Sequence, residues 1–158
     1  MNGISASELQ QHVIRPTLQA ISLWSDAAEY LLLGTAAQES QLGYYLTQIH
    51  GPALGIYQIE PATHADVWQN YLEYQPYLAE KVQTLLSPFN TQDKDQALIT
   101  NLAYSTAIAR IIYYRVPQPL PAAYDLPGLA AYWKQYYNTP AGQGTVEEFM
   151  ANYKEMLL

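Results

Sequence analysis

The sequence predicts an all-α domain with at most a short β segment near residues 55–59. Three observations carry that expectation. Apolar residues fall at helical spacings in short runs that Pro and Gly punctuate. Helix-start signals stand ahead of those runs: Ser5 with Glu8, Ser25, Pro61, Pro76, Asp125, and Thr145 with Glu148. Only Gly55 to Ile59 reads as β-like. At 158 residues, 49% of them apolar, residues 1–158 have the length of a single domain and can bury a core without staples.

In chain order, Ser5 and Glu8 have capping-box spacing and open a first helix, in which Pro16 forces a kink or break. Ser25 caps a second helix over about Asp26 to Ser40, apolar nearly all round and therefore central. A Gly/Pro-bearing segment follows from Gly43 to Pro61. Pro61 opens a third helix, and Pro76 a fourth through about Leu86. The longest helical pattern runs from about Gln92 to Tyr114, with Leu98, Leu102, Ser105, Ala109 and Ile112 on one face. Val116 to Pro121 is an extended surface connector. Asp125 caps a helix over Leu126 to Tyr137, and Thr145 with Glu148 opens the last one.

Composition excludes several classes of function. Seven Lys and Arg against fourteen Asp and Glu give a net charge of −7. That sign opposes phosphate neutralisation, so no nucleic acid is expected as a partner, and no anionic lipid surface. Absence of Cys removes disulfides, thiolate nucleophiles and sulfur-ligated metal. His12, His50 and His64 lack ligand spacing, so no metal or cofactor is expected. Walker, dinucleotide and Gly-x-Ser-x-Gly patterns are missing. Membrane insertion is not expected either: Ala27 to Ala37 is too short to span and contains Glu29, and Met1 to Gln10 has no leader pattern. Polarity comes instead from Gln and from fifteen Tyr. Tyr combines an apolar ring with a hydroxyl and serves a wet sugar cleft or a core boundary equally well.

Among the carboxylates, Glu39 stands apart. Ala28, Leu32, Thr35, Ala36 and Glu39 share one stripe of the second helix, which puts a carboxyl group near the end of an apolar face. Desolvation there raises its pKa, as a general acid at neutral pH requires. The plain alternative is a helix-terminal Glu that bends out to water. Nearby, Gly55-Ile56-Tyr57-Gln58 and Pro61-Ala62-Thr63 follow Glu39-Ser40 in that order.

With these three motifs the sequence resembles the soluble lytic transglycosylases and the wider goose-type lysozyme-like superfamily. That group pairs a Glu-Ser at a helix end with a Gly-Leu-x-Gln segment and then a Pro-x-Thr opening the next helix. The resemblance implies a lysozyme-like fold and a peptidoglycan glycan strand as partner. In it Glu39 is the catalytic acid and then base, Ser40 a support or sugar contact, Gln58 a hydrogen-bond partner of the substrate, and Tyr57 a cleft-lining neighbour. The family's Ala-Tyr-Asn motif is altered here. Tyr113 takes its Tyr role, with Tyr114 and Tyr137 as rivals and a plain core Tyr as the other reading of Tyr113. Residues Trp133 to Thr145 look like phage-encoded members, which implies virion- or holin-dependent delivery to the cell wall.

A lytic transglycosylase needs one Glu, whereas glycoside hydrolysis normally uses two carboxyl groups. Glu60 and Asp66 are the candidate second acids, although a carboxylate at Glu60 also suits the helix N-terminus that follows it. The function that the resemblance implies is lytic transglycosylation at the β-1,4 bond between N-acetylmuramic acid and N-acetylglucosamine. The alternatives are a hydrolytic lysozyme and a glycan-binding or virion structural domain without turnover.

Overall fold

The computed structural model describes residues 3–86 and 93–158, and their regular structure is all helical. The first helical segment comprises α1 (Ala6–Leu9), a wide π turn (Gln10–Ile14) and α2 (Arg15–Ala20). Pro16 explains the π turn. It has no N–H, and its ring would strike the carbonyl four residues back in a regular helix. Widening one turn relieves both problems, and Arg15 N–H bonds Gln10 O instead. The expected kink is thus a π turn inside a continuous helix.

Helix α3 (Asp26–Ser40) has the predicted bounds. Ser25 Oγ accepts from Ala28 N–H at its start. At its end Gln41, Leu42 and Gly43 all take positive φ, and the N–H groups of Gln41 and Leu42 return to Ala37 O and Ala36 O. These bonds satisfy the last carbonyls and reverse the chain. Nearly the whole helix is buried, packed against the π turn, α7, α8 and α9. Gly34 permits this crowding: a Cβ there would lie 2.5 Å from Phe149 Cζ on α9.

Pro61 and Pro76 open α4 (Pro61–Asn70) and α5 (Pro76–Thr84), with a short 3₁₀ turn at Leu72–Tyr74 between them. Where one long helix was expected, there are two: α6 (Lys94–Thr100) and α7 (Leu102–Tyr114). Gln92 itself lies outside the described residues. The break is at Asn101, whose backbone is extended (φ −122°, ψ 100°) and whose side chain caps α7 by accepting from Tyr104 N–H. Residues 115–125 form an irregular connector with a turn and bends at 115–118, where an extended stretch was expected over Val116 to Pro121. Helix α8 (Leu126–Trp133) then passes into a second π turn, Lys134–Asn138, and α9 (Val146–Leu157) closes the chain with Thr145 as its cap. Among the described residues no helix is long and apolar enough to cross a membrane.

The β-like run is a tight turn. Leu54 and Ile59 exchange backbone bonds of 2.9 and 3.0 Å, and Gly55 to Gln58 form the loop between them.

Candidate active site

Two of the three carboxylates on helix α3, Glu29 and Glu39, meet opposite treatment at its two ends. Glu29, in the first turn, is 1% exposed and accepts from Gln10, Trp24 and two nitrogens of Arg15 at 2.6–2.9 Å. Burial pushes its pKa up, but these donors and the Arg15 charge outweigh it and hold the group low. The positive end of the helix favours the anion as well. This cluster is not legible from local pattern, because its donors lie on three separate segments.

Glu39 sits at the other end of α3. It is half-buried and accepts one hydrogen bond, from Trp133 Nε1–H to Oε2 at 2.9 Å. Burial pushes its pKa up to about 7, against which the Trp133 bond works. Neighbouring C-terminal carbonyls of α3 disfavour the anion too. Its other oxygen, Oε1, accepts no bond from the described residues and borders a cleft of about 700 Å³. Replacing Trp133 by Phe should therefore move the Glu39 titration upward, as carbon NMR of the carboxyl would show. An unchanged or lower midpoint would mean that Trp133 does not set the acidity.

Ser40 brings the next segment to Glu39. Its hydroxyl donates to Ile56 O at 2.7 Å and accepts from Gly43 N–H at 2.8 Å. At 1% exposed and outside the cleft, it is a strut between α3 and the 54–59 turn, and the expectation of a sugar contact is corrected. Gln58 lines the cleft from that turn, held by Nε2–H to Gly55 O at 2.9 Å. It adopts a left-handed conformation, φ 49°, which costs a non-glycine residue of the order of 1 kcal/mol. Thr139, on the opposite wall, has φ 72°. Two residues that line the cleft thus carry left-handed backbone.

Tyr57 does not line the cleft. The tight turn sends Ile56 and Tyr57 inward, and Tyr57 is fully buried with its hydroxyl 2.8 Å from Thr106 Oγ1. Thr106 already donates to Leu102 O, so Tyr57 is the donor. Tyr113 is also a core residue. Its hydroxyl lies 2.7 Å from Thr35 Oγ1, and because Thr35 donates to Leu31 O, Tyr113 must donate. Neither hydroxyl is free for substrate.

The tyrosine that does reach the cleft is Tyr137, in the second π turn, beside Trp133. Its ring stacks on Tyr113 at 5.1 Å, and its hydroxyl donates to Tyr57 O at 2.6 Å. Tyr114 is half exposed and borders a different cavity. Of the three tyrosines considered for the Tyr role, the rival Tyr137 is the one that lines the cleft, whereas Trp133 is a lining residue that the sequence reading does not single out. Trp133 and Tyr137 are four residues apart and face one way across the end of α8.

No family model, no curated protein and no solved structure matches this chain.

The remaining walls are rich in amides: Gln38, Gln48, Asn138 and Gln143. Lys134 Nζ fixes the 138–142 loop through Asn138 Oδ1 at 2.7 Å and Gly142 O at 2.9 Å. Glu60 lies in the cleft, exposed, and its side chain caps no backbone N–H of α4. Glu148 borders it as well. Asp66 does not. It is paired with Arg115 at 2.6 Å and bonded by Asn70, so it is not available as a second acid. His64 also turns away, buried between Asp95 at 2.7 Å and the Tyr104 hydroxyl at 2.6 Å. Among the described residues no group of three His, Asp or Glu could hold a metal ion.

Proposed function

We propose that the chain is a lytic transglycosylase that cuts the β-1,4 bond between N-acetylmuramic acid and N-acetylglucosamine in peptidoglycan. The observation that supports this best is Glu39: a carboxyl group held near neutrality by burial, with one oxygen on an amide-lined groove. At pH 7 such a group can be protonated and still accept a proton afterwards. An ordinary Glu, near 4.3, would be almost wholly ionised and unable to donate.

In the first step the Glu39 carboxyl protonates the glycosidic oxygen, and the bond from that oxygen to C1 breaks. Positive charge develops at C1, and the anion left on Glu39 stabilises it. In the second step the muramic 6-hydroxyl attacks C1 and gives its proton to Glu39. The carboxyl is restored, no water is consumed, and the product is a 1,6-anhydromuramoyl end. Gln58 and the wall amides supply donors and acceptors for sugar hydroxyl and acetamido groups, and the Tyr137 ring gives an apolar face to the pyranose.

A hydrolytic reading has one observation in its favour. Glu60 shares the cleft and has no capping duty, so it could serve as a second carboxylate. Mass spectrometry of sugar ends after incubation with purified peptidoglycan separates the cases. Anhydro ends, lighter by one water than reducing ends, are expected. Reducing ends would replace transglycosylation by hydrolysis. No new ends from the folded protein would leave a glycan-binding or structural role.

A further inference from the structure

A second cavity, of about 550 Å³, lies between the end of α7, the 115–120 connector and Tyr132 of α8. It shares no lining residue with the Glu39 cleft. Two of the chain's three arginines border it, in a protein whose net charge is −7. They are not equivalent. Arg115 is ion-paired to Asp66. Arg110 is 7% exposed and forms no ion pair with a carboxylate among the described residues.

Arg110 Nε–H donates to Leu23 O at 3.0 Å, and the guanidinium lies 5.3 Å from the centre of the Tyr114 ring. No fully buried side-chain nitrogen among the described residues lacks a partner, so its two terminal nitrogens are reachable from outside the fold, and Arg110 is among the residues that line the cavity. A guanidinium kept out of water without a counter-charge is costly. Desolvation accordingly lowers its pKa, and the neighbours that oppose this are phenols, Tyr114 and Tyr132. The fold thus uses the Arg110 side chain through one hydrogen bond and one ring contact, and supplies no counter-charge for it among the described residues.

We propose that this cavity is a binding site for a monoanionic carboxylate with an apolar body, clamped by the free fork of Arg110. The charge count favours a monoanion: two arginines and Asp66 leave one positive charge for the ligand. The fork matches a carboxylate in two parallel hydrogen bonds. Tyr71, Tyr114, Pro117 and Leu120 give the walls an apolar surface for the rest of the molecule. Such a carboxylate can come from a peptide chain end or from a free small acid. This inference does not rest on the cleavage reading, because it concerns different residues.

Heteronuclear NMR titration of the whole chain, without glycan present, tests it. The probes are acetyl-D-Ala-D-Ala, acetyl-L-Ala-L-Ala and phenylacetate, each beside its amide. At least one acid should bind at millimolar concentration or below and shift the backbone signals of residues 110–120 and 132. Its amide should bind about tenfold more weakly or worse. The acid that binds best identifies the source. Arg110→Met should lose binding while melting no lower than the parent chain, and Arg110→Lys should bind about tenfold more weakly. If Arg110→Met fails to fold, Tyr114→Ala, at a half-exposed wall position, should still weaken binding. Absence of binding by all three acids, equal binding of acid and amide, or undiminished binding in a folded Arg110→Met would overturn the proposal.

Discussion

Glu39→Gln is expected to abolish glycan cleavage and, at pH 8, to raise the melting temperature. Both effects come from one cause. Folding moves the Glu39 carboxyl from an ordinary acidity to a pKa of about 7, because burial disfavours the anion. Below about pH 4 the group is protonated in folded and unfolded chains alike, and it has no net effect. As pH rises from there to 7, the unfolded chain releases the proton and the folded chain keeps it, so stability falls. Above pH 7 the penalty is constant, of the order of 3 kcal/mol. Gln keeps the shape and an acceptor for Trp133 but carries no charge. For a chain of this length the gain at pH 8 is roughly 5–10 °C, with little difference at pH 4. Calorimetry at the two pH values measures it. Equal melting at pH 8 would show that Glu39 titrates normally, and an active Gln variant would remove it from the chemistry.

Gly55→Ala is expected to be the most damaging small substitution near the cleft. Gly55 has φ +78°, a conformation that costs an L-residue about 1–2 kcal/mol. A Cβ would also lie 2.0 Å from Leu98 O, a backbone atom of α6 that cannot turn aside. Overpacking adds about 1–3 kcal/mol. A loss of about 3–4 kcal/mol in urea unfolding is therefore anticipated, with cleavage falling further because Gln58 is anchored to Gly55 O. Gly51→Ala is the control. There the clash is with the end of the Gln48 side chain, which can turn aside by giving up its bond from Ala53 N–H, and the backbone is not left-handed, so the cost should stay at about 1 kcal/mol. Similar losses at both positions would refute the backbone argument.

These two positions also show what was readable in the sequence. Ser25, Pro61, Pro76 and Thr145 marked helix starts because a cap or a missing N–H is a local property. Glu39 was legible from its place at the end of an apolar helix stripe, and Gln58 only through the resemblance of the Gly55 to Gln58 segment to a family motif. The division of the long helix at Asn101 was missed because Leu98, Leu102 and Ser105 continue the apolar spacing across it. The cap signal was present, but periodicity outweighed it. Tyrosines were harder still. Nothing local tells Tyr57 and Tyr113, which are buried, from Tyr137, which faces the cleft, because partners on distant helices decide the matter. Arg110 was invisible for the same reason.

The hydrogen bond from Trp133 to Glu39 joins residues 94 positions apart. A ribosome that has released α3 has therefore not yet made the residue that closes over its last turn. Until α8 docks, Glu39 lies beside water with the acidity of any surface glutamate. The unusual acidity is a property of the finished fold, and the nascent chain does not possess it.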